Sequence, residues 1–205
     1  MTTTTDTTAT DETRPAQSRA ARLVTDGLEP KNWIIALTLL VGWQVDGLAG
    51  IGWGLFGATF AAVIPVLFIK FGIRRGTWAD RHLGVKQQRL VVMVFIIASV
   101  LTGTLLMTLL GAPLAMVALI AAMVTTLVVL MVITTAWKVS VHAAVSSGSV
   151  IILALTYGPW LLALYPVVAL VGWSRIALKD HTPAQVVAGT ALGALVAGLT
   201  FALLR

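Results

Sequence analysis

Polar and apolar residues in this chain are sorted into long blocks instead of being interleaved. Apolar runs occupy Trp33–Val45, Gly50–Ile69, Leu90–Leu110, Leu114–Trp137, Ala143–Tyr157, Trp160–Trp173 and Pro183–Leu204. Runs of this length with few charges predict membrane-spanning helices, since a hydrocarbon core about 30 Å thick takes roughly 20 helical residues. Three of the seven runs are short for that thickness, which implies tilt or extension into the adjoining loop. Asp46-Gly47, Gly111-Ala112-Pro113 and Gly158-Pro159 are turn signals that stop the helices between runs. Gly50 and Gly54, and Gly189 and Gly193, fall four apart and would let backbones approach closely.

Composition excludes a soluble globule. Of 205 residues, 58% are hydrophobic and 11% charged, against about 25% charged in soluble domains. The expected fold is an all-α integral membrane protein, a polytopic bundle of six to seven transmembrane helices. Cysteine is absent, which removes disulfides, thiolate metal sites and thiol nucleophiles. Ahead of the first run, residues 2–13 carry eight threonines with Asp6, Asp11 and Glu12, and Arg14, Pro15, Arg19 and Arg22 follow. This stretch offers nothing to bury and lacks the apolar core of a secretory signal, so residues 1–30 are expected to form a disordered cytoplasmic tail ahead of a membrane domain over 31–205.

The net charge is +6, and its placement matters more than its size. If successive loops alternate sides, every Lys and Arg except Arg205 falls on one face, and the other face carries only Asp46 and Arg205. The positive-inside rule makes the basic face cytoplasmic, in the cell membrane. Trp78, Trp137 and Trp173 on that side, with Trp53 and Trp160 on the other, fit interfacial belts. All three histidines, His82, His142 and His181, fall on the basic face. A lone His or Lys near a membrane boundary usually caps a helix or reaches headgroups; clusters in three loops on one side point to function instead.

Ser174-Arg175, five residues, His181 and then Gln185 read S-R-x5-H-x3-Q. This resembles the third signature of the type 2 phosphatidic acid phosphatase superfamily, S-R-x5-H-x3-D, with Gln185 in the Asp place. Lys138-Val139-Ser140-Val141-His142 is similar to the second signature, P-S-G-H, with Val139 and Val141 replacing Pro and Gly. The first signature, K-x6-R-P, has its nearest match in His82, Arg89 and Leu90, and Asp80, Arg81 and Lys86 are neighbouring candidates. The likeness covers roughly residues 80–195.

The resemblance implies a metal-independent lipid phosphatase without cofactor. In it His181 is the nucleophile that becomes a phosphohistidine, His142 is the general acid, and Gln185 orients the His181 ring. Arg89, Lys138, Ser140, Ser174 and Arg175 would bind phosphate. Gln185 brings no negative charge, so a slower enzyme is expected, or a substitute carboxylate from Asp180 or Asp80. The implied partners are the bilayer and a lipid phosphate within it, either a polyprenyl phosphate or diphosphate or a phosphatidate-like lipid; nothing points to nucleic acid. The alternative is a catalytically weak or silent protein that binds lipid phosphate. A transporter ranks below both, because beyond Gln44 and Asp46 the spans carry only scattered Ser and Thr.

Overall fold

The structure is a computed structural model that describes residues 13–76 and 86–205, without the side chains of residues 13–18, Lys86 and Arg89. The described residues are helical and contain no strand. Helices α1 (Thr13–Gly27), α2 (Pro30–Ala58), α3 (Ile64–Arg74), α4 (Lys86–Leu109), α5 (Leu114–Ala136), α6 (Val141–Tyr157), α7 (Tyr165–Ala177), α8 (Pro183–Leu192) and α9 (Gly198–Leu204) follow one another. π-Helical turns at Thr59–Val63 and Gly193–Ala197 join α2 to α3 and α8 to α9. Among the described residues, five segments are long and apolar enough to cross a membrane: Arg19–Arg74, Leu90–Leu109, Leu114–Ala136, Pro159–Ala177 and Pro183–Leu204. Large apolar side chains, among them Leu55, Leu67, Leu105, Val132 and Leu195, point outward, as lipid contact requires.

The first segment folds back on itself. Asp46 and Gly47 leave helical geometry, Gly47 at φ +52, and the chain reverses there. A Cβ on Gly42 would lie 2.2 Å from the Gly50 carbonyl oxygen, and one on Gly54 would lie 2.6 Å from that of Thr38. The two arms therefore touch backbone to backbone, antiparallel, about the turn at Asp46-Gly47. Lipid tails are as apolar as leucine, so close packing of this kind, more than exclusion of water, holds such helices together.

A second glycine seam runs between α6 and the α8–α9 helix. Gly189 abuts the Ser140 backbone, Gly193 the Ala144 backbone, and Gly148 meets Gly193 and Ala197. The residue pairs advance together, so these helices are parallel and their N-termini lie side by side. Helix α6 is central: Ala143, Ala144, Ser146, Ser147, Val150 and Ile152 are all buried. Gly111 (φ +78) and Gly158 (φ +118) make the tight connections from α4 to α5 and from α6 to the 3-10 turn Pro159–Leu164.

One expectation is corrected here. Residues 13–27, read as part of a disordered tail, form helix α1, which lies along α7. Its contact face consists of small residues one turn apart: Ala21 and Thr25 are buried, and the Thr25 hydroxyl donates to Ser174 Oγ at 3.0 Å. A face this narrow leaves no apolar run in the sequence, but it suffices against a neighbouring helix.

Candidate functional site

The parallel seam brings residues 138–142 and residues 174–185 together. Ser140 caps the N-terminus of α6, with its Oγ accepting from the Ala143 N–H at 3.4 Å, and its own N–H donates to the Gln185 carbonyl at 3.2 Å. Thr182 caps α8: its hydroxyl accepts from the Gln185 N–H at 3.3 Å, and Gln185 Oε1 accepts from the Thr182 N–H at 3.2 Å, a reciprocal box. Two helix N-termini thus open on the same side with His142 in the first turn of one. The partial positive charge at such ends favours an anion.

The turn from α7 to α8 carries the rest. Lys179 adopts φ +58, a left-handed geometry that costs a residue with a Cβ about 1–2 kcal/mol. The Asp180 and His181 N–H groups both donate to the Arg175 carbonyl, at 3.1 and 3.3 Å, and so hold the turn over the end of α7. Arg175 is 3% exposed. Its Nη2 meets the Asp180 carboxylate at 2.8 Å, while its buried Nε and Nη1 have no hydrogen-bond partner among the described residues. A buried guanidinium with two unused donors is a costly arrangement that an anionic ligand would relieve. Lys138 Nζ donates to the Asp180 carbonyl at 2.6 Å, which ties the connection before α6 to the turn from α7 to α8.

These groups face one cavity of about 420 Å³. Lys138, His142, Arg175, Asp180 and His181 line its polar end, together with Glu29, Lys31 and Lys70 from the α2–α3 hairpin. Glu29 and Lys31 form an ion pair with each other. The remaining wall is largely apolar, from Leu37, Ala61, Ala62, Ile96, Val100, Leu127, Ile152 and Ala197 among others.

The His181 ring can be assigned a tautomer. The Thr182 N–H only donates, so the Gln185 atom it meets is the carbonyl oxygen. That oxygen lies 3.2 Å from His181 Nδ1, and it accepts only if Nδ1 carries the proton. Nε2 is then left with its lone pair. Burial pushes the His181 pKa down from 6.5 to about 4, and the charges of Lys138 and Arg175 push the same way; the Gln185 hydrogen bond and the Asp180 carboxylate oppose them. The ring is therefore neutral at pH 7.

Of the residues singled out from sequence, His142, His181, Lys138, Arg175 and Asp180 come together, and Gln185 supports His181. Ser140 and Ser174 do not line the cavity. The Ser140 hydroxyl oxygen accepts as the α6 cap, and Ser174 Oγ donates to the Val171 carbonyl at 2.7 Å while accepting from Thr25. Both were expected to bind phosphate; the first fixes the start of α6, and the second docks α1. Asp80, Arg81 and His82 lie outside the described residues, as do the side chains of Lys86 and Arg89. Glu29, Lys31 and Lys70 were missed. Their only sequence signal is that they flank apolar runs on the basic face. Comparison with known protein families, with curated proteins and with solved structures finds no match.

Proposed function

We propose that the protein is a membrane lipid phosphatase of the type 2 phosphatidic acid phosphatase kind, with a bundle core in which both arms of the hairpin and the short helix α6 cross the membrane along with the other long segments. One observation carries this reading: two imidazoles, a buried arginine whose Nε and Nη1 have no partner among the described residues, and a lysine face a single cavity that is polar at one end and apolar beyond it. An amphiphile with an anionic head matches that division.

The chemistry divides between the two imidazoles. Neutral His181, held by Gln185 with Nε2 free, attacks phosphorus; the bond from phosphorus to the lipid oxygen breaks, and His142, in the role of general acid, delivers a proton to the leaving alkoxide. Water then attacks the phosphohistidine, giving up a proton to His142 and releasing phosphate. Arg175 and Lys138, with the two helix N-termini, balance charge on the phosphate oxygens throughout. Gln185 orients the ring without stabilising the imidazolium charge, and the nearby Asp180 carboxylate supplies part of that stabilisation. The basic end of the bundle, with Lys31, Lys70, Arg74, Arg75, Lys138 and Lys179, is assigned to the cytoplasmic side of the cell membrane.

The test is phosphate release from a panel of lipid phosphates by detergent-purified protein without added metal. Wild type should release phosphate from at least one lipid, and His181→Ala and His142→Ala should lose at least about a hundredfold in rate. Full activity in His181→Ala would overturn the assignment. Tight lipid-phosphate binding with no turnover by wild type would favour the silent binder.

A further inference from the structure

Beneath the polar end, the cavity wall carries two hydroxyl groups, Thr126 on α5 and Ser149 on α6, in otherwise apolar surroundings. Thr126 Oγ1 donates to the Ala122 carbonyl at 2.7 Å. The neighbours of Ser149 are bonded too: Ser146 Oγ donates to the Ala143 carbonyl at 3.2 Å, and Ser147 Oγ shares a hydrogen bond of 3.2 Å with the Tyr165 hydroxyl. Ser149 is 3% exposed, and its hydroxyl makes no hydrogen bond among the described residues. A buried hydroxyl with an idle donor, set among apolar walls, is unfavourable until a ligand supplies an acceptor. The phosphoryl chemistry does not use it.

Its place on α6 fixes where on a ligand that acceptor lies. His142, Val145, Ser149 and Ile152 form one stripe along the cavity. The seven residues from His142 to Ser149 make about two turns, so the hydroxyl lies on the same face roughly 10.5 Å further in. In a diacylglycerol phosphate, the ester carbonyl oxygens stand about five or six bonds from the oxygen that leaves phosphorus, or roughly 6.5–8 Å at about 1.3 Å per bond. A hydrogen bond of about 2.8 Å from Ser149 covers the remainder. A polyprenyl phosphate carries only carbon and hydrogen beyond its phosphate and would leave the hydroxyl facing hydrocarbon.

Resting on the lipid-phosphatase reading, we infer that Ser149 determines specificity by donating a hydrogen bond to an acyl ester carbonyl of the lipid. An ester-linked glycerolipid phosphate, and not a polyprenyl phosphate, is then the substrate class of this site. Arg175 and Lys138 hold the head while Ser149 holds the carbonyl, and the two contacts together set the depth of the phosphorus beside His142 and His181. Removing the carbonyl from the lipid and removing the hydroxyl from the protein break the same contact, so their effects on binding should not add.

The test is a binding comparison in detergent micelles, read by titration calorimetry on the His181→Ala variant so that no ligand is turned over. The ligands are dioctanoyl phosphatidate, its dioctyl diether analogue, which lacks both carbonyls, and farnesyl phosphate. The diester should bind at least about fivefold more tightly than the diether. Adding Ser149→Ala should bring that ratio below about twofold by weakening the diester alone, and Ser149→Thr, which keeps a hydroxyl, should preserve it. Farnesyl phosphate should bind no more tightly than the diether and be indifferent to Ser149→Ala. Equal weakening of diester and diether by Ser149→Ala would make the residue a packing element of α6 and overturn the inference. Diether bound as tightly as diester, or farnesyl phosphate bound most tightly of the three, would overturn it as well. Phosphate release from the diester by wild type, measured alongside, tests the phosphatase reading separately, because the binding ratios do not depend on turnover. Failure of all three ligands to bind would remove the anion site on which both readings depend.

Discussion

If burial and two neighbouring cations keep His181 neutral, its titration is displaced far from that of a free imidazole. The variant His82→Ala/His142→Ala leaves His181 as the sole histidine and removes none of the groups that act on its charge, which are Lys138, Gln185, Arg175 and Asp180. The imidazole Cε1–H resonance, followed by NMR in detergent micelles from pH 3.5 to 8, reports the midpoint directly and needs no catalytic activity. A pKa of about 4 leaves the ring about 97% neutral at pH 5.5, against about 9% for an ordinary imidazole with pKa 6.5. The neutral ring is thus about tenfold more abundant at that pH than that of an unperturbed histidine would be. Adding Lys138→Met should move the midpoint upward, since the lysine charge is the second-largest cause of the depression. The same shift bears on stability. Below pH 6.5 the unfolded chain takes up a proton that the folded site refuses, so this residue's contribution is full above about pH 6.5 and is lost on acidification toward about pH 4. A midpoint near 6.5, or one that Lys138→Met leaves unmoved, would refute the reasoning that burial beside fixed cations holds the ring neutral.

Gln185→Glu keeps an oxygen to accept from the Thr182 N–H and from His181 Nδ1 while adding a negative charge, so the His181 midpoint should rise, and with it the rate of phosphoryl transfer; both are read by the titration above and by phosphate release. Gly193→Ala places a Cβ 2.0 Å from the Ala144 carbonyl oxygen and should cost about 1–3 kcal/mol in thermal unfolding, whereas Gly52→Ala, where nothing lies within 4 Å, should be close to neutral. Equal stability of the two variants would mean that the seam between α6 and α8 is not tightly packed. Reporter fusions at residues 80 and 178 should both give the cytoplasmic signal, and the exported signal at both would reverse the orientation.

Much of this architecture was legible because it depends on local signals. The Asp46-Gly47 break and the Gly111 and Gly158 turns lie where breaker residues interrupt apolar runs, and the Gly189 and Gly193 pair lies on a contact surface as its four-residue spacing suggested. Ser-Arg-x5-His brought Arg175 and His181 to one place because a short turn between two helices leaves few alternatives. What escaped depends on tertiary juxtaposition. Helix α1 has no apolar run of its own, and its face of Ala21 and Thr25 acquires meaning only beside Ser174. The same contact turns Ser174 away from the cavity. Glu29, Lys31 and Lys70 stand more than a hundred residues from His181, and nothing in their own neighbourhood marks them as cavity residues.

The central claim is that His181 carries phosphate covalently during turnover. The direct measurement is to incubate the protein with a lipid phosphate labelled with 32P, quench in alkali, in which phosphohistidine survives, and locate the label by tandem mass spectrometry. The account predicts an acid-labile, alkali-stable phosphoryl group on His181 that is absent from His181→Ala. Phosphate release at the wild-type rate with no label on His181, or label that persists in His181→Ala, would contradict it.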